Sequence, residues 1–244
     1  MTARGVAESG LEAVDLPGQP AAALAGPSMF RRRSGQPSRR AVLHVQAAGD
    51  PAVPPDLGAW YTERGFHFYV AWLRLPDLAP VGARPAARYL SAAFADLDAA
   101  CAHLRDADGM ASVIVSAQGR GAIAAALWRD ARAAAADALI LLAPRLPAGA
   151  SLSLEIDCPV LVLSGPAGAG GGPQAPAASR GWPVRRRRPA PADDAALSLG
   201  GHVTWLRLPA GPAAGERSDP GLLFDALGRW LGAYMYGPVR DQLL

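Results

Sequence analysis

The sequence has no lysine and no asparagine, and all 24 of its basic residues are arginine. Alanine is abundant throughout, a composition that we interpret as that of a bacterial genome rich in GC. Because arginine is the only strong cation in the chain, a cluster of arginines is weak support for nucleic-acid binding. The formal net charge of +3 is also small for a chain of 244 residues.

Paired cysteines and long hydrophobic runs are lacking as well. The two cysteines, Cys101 and Cys158, lie far apart in the sequence, and they form no zinc or redox motif and require no disulfide. Apolar runs such as Ala138–Pro144 are far shorter than the ~20 residues that span a bilayer. Met1–Asp15 contains acidic residues and lacks the apolar core of a signal peptide. We therefore expect a cytoplasmic protein without a membrane segment.

The sequence does contain alternating strand and helix patterns, in a chain that is 50% hydrophobic. Its length fits one large domain or at most two small ones. The predicted strands are Leu11–Leu16, Ala41–Gln46, Phe66–Leu73, Ser112–Ser116, Ala138–Ala143, Cys158–Ser164 and His202–Leu208. The predicted helices are Pro55–Arg64, Pro85–Arg105, a helix from the turn at Gln118–Gly121 to about Ala135, and Asp219–Tyr236. This alternation predicts a three-layer α/β/α sandwich around a mostly parallel, doubly wound sheet.

The chain divides into four predicted segments. They are N-terminal edge strands with an arginine-rich turn (1–40), the main core (41–164), a low-complexity disordered loop (165–200), and the last core strand, C-terminal helix and tail (201–244). The turn contains Arg31, Arg32, Arg33, Arg39 and Arg40, and the loop contains Arg185–Arg188. Neither cluster has interleaved aromatic residues or a nucleic-acid-binding motif, so we expect solvated segments. Anion or nucleic-acid binding through these arginines remains an alternative.

The stretch from Ser112 to Trp128 predicts a strand, a tight turn of small residues and a helix. Ligand sites of open α/β sheets lie beyond the carboxyl ends of the strands, so this turn is a candidate site. The stretch resembles the nucleophile elbow of the α/β-hydrolase family, in particular the branch with serine aminopeptidase-like and lysophospholipase-like proteins. The resemblance covers about Ala41–Ser164 and Gly201–Leu231. It implies an α/β-hydrolase core, here without a sizeable lid because only Pro144–Asp157 occupies the usual lid position.

The motif residues depart from the family's pattern. Where the branch has Gly-His-Ser-x-Gly-Gly, this sequence has Ala117, Gln118, Gly119, Arg120, Gly121 and Ala122. The resemblance therefore places Gly119, which has no nucleophilic side chain, at the nucleophile position. Gln46-Ala47 replaces the family's His-Gly, so the resemblance assigns Gln46, Ala47 and Arg120 to the oxyanion region.

The acid and the base of a catalytic triad are also missing from the positions that the resemblance gives them. The strand that usually ends in Asp-Leu-Arg reads Trp72-Leu73-Arg74. The strand exit after Ser164 has no carboxylate, and the exit after Leu208 has no histidine.

Ser116 is the alternative nucleophile, although it lies three residues before Gly119 and within the predicted strand. The histidines lie within strands, on a helix or at the start of the last strand: His44, His67, His103 and His202. Asp193 and Asp194 lie in the predicted loop, where they could not hold a histidine rigidly. We therefore expect no Ser-His-Asp triad, since its members must lie within hydrogen-bond reach of one another.

Two function hypotheses remain. The first is a degenerate α/β-hydrolase that binds a small molecule or a protein at the cleft formed by the carboxyl ends of the strands. The second is a serine-type hydrolase of carboxylester or amide bonds with non-standard catalytic residues. No metal motif or cofactor motif is present, because Gly119 and Gly121 lack the full dinucleotide fingerprint.

Overall fold

The computed structural model of the chain describes residues 11–14, 16, 29–47, 54, 56–73, 75, 87–146, 151–164, 196–208 and 220–236. The strands are β1 (Glu12–Val14), β2 (Met29–Arg32), β3 (Arg40–Ala47), β4 (His67–Leu73), β5 (Ser112–Gln118), β6 (Ala138–Leu142), β7 (Ser151–Ser164) and β8 (Ala196–Arg207). The helices are α1 (Leu57–Glu63), α2 (Ala87–Ala102), α3 (Gly119–Ala131) and α4 (Pro220–Tyr236), with a π-helical turn at His103–Ala107.

The eight strands form one sheet in the order β1-β2-β4-β3-β5-β6-β7-β8. β2 pairs antiparallel with β1 and with β4, and the strands from β4 to β8 pair in parallel. In the central register His44 lies opposite Ser116, and Ser116 lies opposite Ile140. The predicted mostly parallel sheet is confirmed.

One face of the sheet packs against α2 and α3. Leu43, Val45 and Val115 point to this face and are completely buried, together with Leu97 of α2 and Trp128 of α3. Four of the nine buried residues of α3 are alanines. Because alanine is small, the helix can lie close to the strands that it follows.

The other face packs against α1 and α4. Its strand residues, which include Val42 and Ile114, form a second apolar cluster with Tyr61 of α1 and with Leu227 and Leu231 of α4. The predicted apolar face of the last helix is therefore confirmed. Since helices cover both faces, the predicted three-layer architecture is confirmed.

The predicted lengths of β7 and β8 were wrong. β7 begins at Ser151 rather than Cys158, and β8 begins at Ala196 rather than His202. The two extensions pair with each other in parallel from Ser151 opposite Ala196 to Ile156 opposite Gly201. Residues 196–200 therefore belong to the sheet and not to the predicted loop, of which 165–195 lie outside the described residues.

The extension of β7 carries a strand signal in its sequence that the prediction overlooked. Leu154, Ile156 and Cys158 are buried, and the residues between them, Glu155 and Asp157, are exposed. This alternation is typical of a strand with one buried face. Residues 143–150 connect β6 to β7, so the connection at the usual lid position is shorter than the predicted Pro144–Asp157.

Candidate functional site at the carboxyl ends of the central strands

Strand β5 runs directly into helix α3 at Gly119. Gln118, the last strand residue, has extended backbone angles, and α3 begins at the next residue. No separate turn of four residues lies at Gln118–Gly121, because the direction of the chain changes at one residue, Gly119. Gly119 has a φ of 58°, in the left-handed region that non-glycine residues rarely adopt. The backbone makes a sharp strand-to-helix junction, and no side chain projects from its central residue.

Ser116 lies below this junction and faces the layer of α1 and α4. Its Oγ and the Nδ1 of His44, on the neighbouring strand β3, are 3.1 Å apart and share a hydrogen bond. Both side chains are completely buried. Burial lowers the pKa of His44 to about 4, because the charged imidazolium would lose its hydration there. His44 is therefore neutral near pH 7.

Tyr61 of α1 approaches the same pair from the helix layer. Burial raises the pKa of its hydroxyl, and the nearby Ser116 hydroxyl partly offsets this effect. The two hydroxyls do not form a well-directed hydrogen bond, since Tyr61 Oη has no partner among the described residues. The Tyr61 ring stacks on Phe68 at 5.6 Å between centroids, and the His44 ring stacks on Phe68 at 6.2 Å. Ser116, His44 and Tyr61 thus form one buried polar group, here named the Ser116 group.

Gln46 and Gln118 lie two residues beyond His44 and Ser116 on the same two strands. Because side chains alternate along a strand, both glutamines point to the same face as the Ser116 group. Gln46 and Ala47, two of the residues that the resemblance assigned to the oxyanion region, are each 4% exposed. Gln118 is partly exposed, and its Oε1 atom is buried without a partner among the described residues. The glutamines therefore extend the polar face from the Ser116 group to the strand ends.

Solved structures of similar fold place this geometry in a known architecture. The Thermogutta terrifontis esterase 2 phosphonylated by cyclosarin has a TM-score of 0.50 to this chain at 13% identity, covering 91% of this chain and 96% of that chain. A predicted CIB-like hydrolase from Thermoplasma acidophilum gives a TM-score of 0.50 at 11% identity over the same shares. The chain has the α/β-hydrolase fold. No protein-family model and no curated protein matches the sequence.

Gly119 lies at the strand-to-helix junction between β5 and α3, and the equation of this junction with the family's nucleophile elbow stays a prediction from the resemblance. Arg120 and Gly121 form the first turn of α3, so the four degenerate elbow residues are adjacent in space. The carbonyl oxygen of Gly119 accepts a hydrogen bond of 2.9 Å from the backbone N–H of Arg145. This bond ties the elbow to the segment that follows β6.

The structure brings His44 close to the elbow and leaves the other histidines apart from it. His67 is the first residue of β4, at the opposite end of the sheet. His103 begins the π-helical turn after α2, with its Nε2 at 3.5 Å from Asp108 Oδ2. His202 is exposed within the edge strand β8, and it no longer opens that strand because β8 starts earlier. Asp193 and Asp194 lie outside the described residues.

Sequence reasoning missed the Ser116–His44 hydrogen bond and the approach of Tyr61. His44 and Ser116 are polar residues in the middle of strands whose neighbouring positions are apolar, which is the signal that could have singled them out. Their contact depends on the pairing of β3 with β5, which lie 72 residues apart at this point. A single sequence does not reveal that register.

The arginines of the predicted turn contact the protein itself. Arg31 forms ion pairs with Glu12 and Asp108, Arg39 donates to the carbonyl oxygen of Gly109, and Arg40 lies over the Phe66 ring. These contacts give part of the cluster a structural role, and binding of nucleic acid remains an untested alternative. Arg185–Arg188 lie outside the described residues.

The described residues contain no group of three or more His, Cys, Asp or Glu side chains that could hold a metal ion. A separate search of the described helices found none long and apolar enough to cross a membrane.

Proposed function

We propose that this protein is a non-catalytic member of the α/β-hydrolase fold that binds a ligand at the carboxyl ends of its central strands. The observation that carries the proposal is Gly119, which occupies the elbow with a φ of 58° and no side chain. Nucleophilic catalysis at an elbow requires a hydroxyl or thiol at that residue. The backbone shape is therefore present without the reacting group.

The Ser116 group gives a second argument for binding. Ser116 and His44 are completely buried beneath the junction of β5 and α3, so neither side chain is exposed to solvent as a catalytic pair would need to be. A catalytic histidine also needs an acidic partner that orients it. The hydrogen bond of His44 is to Ser116 itself, and the sequence has no carboxylate at the usual strand exits.

Hydrolysis of a carboxylester or amide bond is the second candidate function. It is favoured by the 3.1 Å contact between Ser116 Oγ and His44 Nδ1, and by the likeness in fold to an esterase. In this alternative Ser116 would be the nucleophile and His44 the base, once a movement of α1 exposed them. The serine aminopeptidase-like or lysophospholipase-like branch and the cytoplasmic location remain predictions from the sequence.

The two candidates are separated by labelling with a fluorophosphonate probe, with hydrolysis of p-nitrophenyl acetate and butyrate followed in parallel. We expect no labelling and no turnover above a heat-inactivated control. Labelling of Ser116, lost in the Ser116→Ala variant, would overturn the binding proposal and establish the hydrolase. Labelling of another serine would also overturn it and would identify a nucleophile elsewhere in the chain.

A further inference from the structure

Three hydrogen-bonding atoms are unpaired in or beside the Ser116 group. They are His44 Nε2, Tyr61 Oη and Gln118 Oε1, three of the four buried side-chain polar atoms that have no partner among the described residues; the fourth, His103 Nε2, lies in the π-helical turn. An unpaired polar atom in a protein interior costs about 1–3 kcal/mol, so native proteins rarely leave several together. Their concentration in one place indicates that something else forms hydrogen bonds there.

The three atoms belong to side chains on the same face of the sheet or on the helix α1 that packs against that face. Ser116 contacts His44 directly and lies near the Tyr61 hydroxyl. Gln118 follows two residues later on the same face of β5. Because Gln118 is partly exposed, these side chains run from the carboxyl end of β5 to the fully buried His44.

The apolar residues packed around the Ser116 group favour an uncharged ligand over a charged one. The two buried charged residues of the described chain, Asp96 and Arg129, lie on α2 and α3 at the other face of the sheet. Residues packed around the Ser116 group, such as Val42, Val70 and Ile114, are apolar. A buried ion without an opposite charge would lose its hydration energy uncompensated.

The polar atoms also define the head group of the ligand. Tyr61 Oη can donate and accept, Gln118 Oε1 accepts, and neutral His44 Nε2 does one or the other according to its tautomer. A ligand group that both donates and accepts can satisfy all three. Hydroxyl and primary amide groups have this property.

We propose that the Ser116 group and Gln118 bind a small uncharged molecule that has an alcohol or primary amide head and a short alkyl chain. The head would contact Tyr61, His44 and Gln118, and the alkyl chain would pack against the apolar residues of the same face. This inference rests on the proposed function, in which the cleft binds a ligand instead of hydrolysing it.

The test is a titration of the full-length protein, labelled with ¹⁵N and ¹³C at histidine, with 1-butanol followed by NMR. We expect the ring signals of His44 to shift and to saturate. The signals of His67, whose two ring nitrogens are both hydrogen-bonded, and of exposed His202 should not move. n-Butylammonium, which has the same chain with a charged head, should leave His44 unchanged.

Tyr61→Phe removes one proposed contact and retains the ring that packs on Phe68. We expect it to weaken 1-butanol binding about five-fold, in line with the loss of one hydrogen bond. Tyr69→Phe is the matched control, because the Tyr69 hydroxyl donates to Asp108 on the other side of the sheet; it should not alter binding. A His44 signal that does not saturate, equal binding of the ammonium, or an unchanged affinity of Tyr61→Phe would each overturn the inference.

The proposed function is tested separately, by ester turnover of the same samples. Turnover together with a saturating His44 shift would overturn non-catalytic binding and leave the ligand class intact. No turnover and no shift would leave the proposed function standing and refute this inference.

Discussion

Two buried strand histidines, one at the amino end of the sheet and one in its carboxyl half, differ in how many hydrogen bonds their rings form. At the amino end, Ser34 donates its backbone N–H to Nδ1 of His67, and Nε2 of that ring contacts the carbonyl oxygen of Ser38 at 3.1 Å. In the carboxyl half, His44 has one partner, Ser116, and its Nε2 has none among the described residues. Both rings are buried, so burial alone does not explain the difference.

The two tyrosines of these regions repeat the contrast. Tyr69 donates a hydrogen bond of 2.7 Å to Asp108, which also accepts from Arg31 at 3.2 Å. Burial acts to raise the pKa of Asp108, but the Tyr69 hydrogen bond and the charges of Arg31, His103 and Arg33 lower it overall. Tyr61, on the opposite face of the sheet, is completely buried, and its Oη has no hydrogen-bond partner among the described residues.

The contacts of Asp108 therefore stabilise the fold, since they join β2 and β4 to the residue that follows the π-helical turn, and of the buried polar atoms around Asp108 His103 Nε2 lacks a well-formed hydrogen bond. The carboxyl half gives up part of that stability by leaving hydrogen-bonding groups unpaired. Proteins tolerate such a cost chiefly at functional sites, where local consistency is set aside. The difference supports a binding site in the carboxyl half.

Removal of Asp108 should have the largest effect. Asp108→Ala leaves the Tyr69 hydroxyl and the Arg31 guanidinium without their shared partner, and we expect a loss of about 3 kcal/mol of unfolding free energy. Urea denaturation followed by tryptophan fluorescence measures it. Asp225→Ala, which removes an exposed pair with Arg229, should cost less than about 0.5 kcal/mol. If both variants lost the same unfolding free energy, the contacts of Asp108 would not have the stabilising role proposed here.

Acid should destabilise the carboxyl half through His44. The pKa of His44 is about 4 in the folded protein and 6.5 as the ordinary value, so the unfolded chain binds more protons between these limits. The unfolding free energy therefore has its full value above pH 6.5, where His44 is neutral in both states. It should fall by about 3 kcal/mol as the pH is lowered to about 4.

His44→Gln removes this titration, so the difference in unfolding free energy between wild type and variant should change by that amount over pH 6.5 to 4. Denaturation curves at several pH values measure the change. His202→Gln, at an exposed position, should follow the wild-type pH dependence. A constant difference for His44→Gln would show that His44 is not held neutral by burial.

Tyrosine-to-phenylalanine substitutions at Tyr69 and Tyr61 compare a hydrogen-bonded hydroxyl with one that has no partner among the described residues. Tyr69→Phe breaks a hydrogen bond to a charged carboxylate and should cost about 2 kcal/mol. Tyr61→Phe removes an unpaired hydroxyl and should leave the unfolding free energy unchanged or slightly raised, with no ligand present. Thermal and urea denaturation compare the two variants. A similar loss in both would show that Tyr61 has a partner that matters for stability.

The sequence predicted the core strands and the sharp strand-to-helix junction at Gly119, because these depend on local patterns. Apolar runs such as Ala138–Leu142 and the small residues around Gly119 are visible without knowing what they contact. The Ser116 group could not be predicted in the same way, since it requires the register of β3 against β5 and the packing of α1. The extension of β7 was overlooked for a different reason: its alternating residues, such as Leu154 and Ile156, were present, but they lay in a stretch interpreted as a connection.

The last prediction concerns the junction at Gly119, where we expect a modest loss of stability. Gly119→Ser places a hydroxyl at the junction but forces a non-glycine residue to a φ of 58°, at a cost of about 1 kcal/mol. Gly119→Ala should cost the same, because the strain comes from Cβ. Gly35→Ser, where an added Cβ meets nothing within 4 Å, should cost little.

Despite its new hydroxyl, Gly119→Ser should hydrolyse p-nitrophenyl acetate no faster than Gly119→Ala. Among the described histidines, His44 alone lies near the elbow, and its Nδ1 is engaged by Ser116 in the buried layer. A serine without a base to take its proton is a weak nucleophile. Turnover by Gly119→Ser that is absent from Gly119→Ala would mean that a base reaches the cleft, and the carboxyl half would then be an active site lacking only its nucleophile.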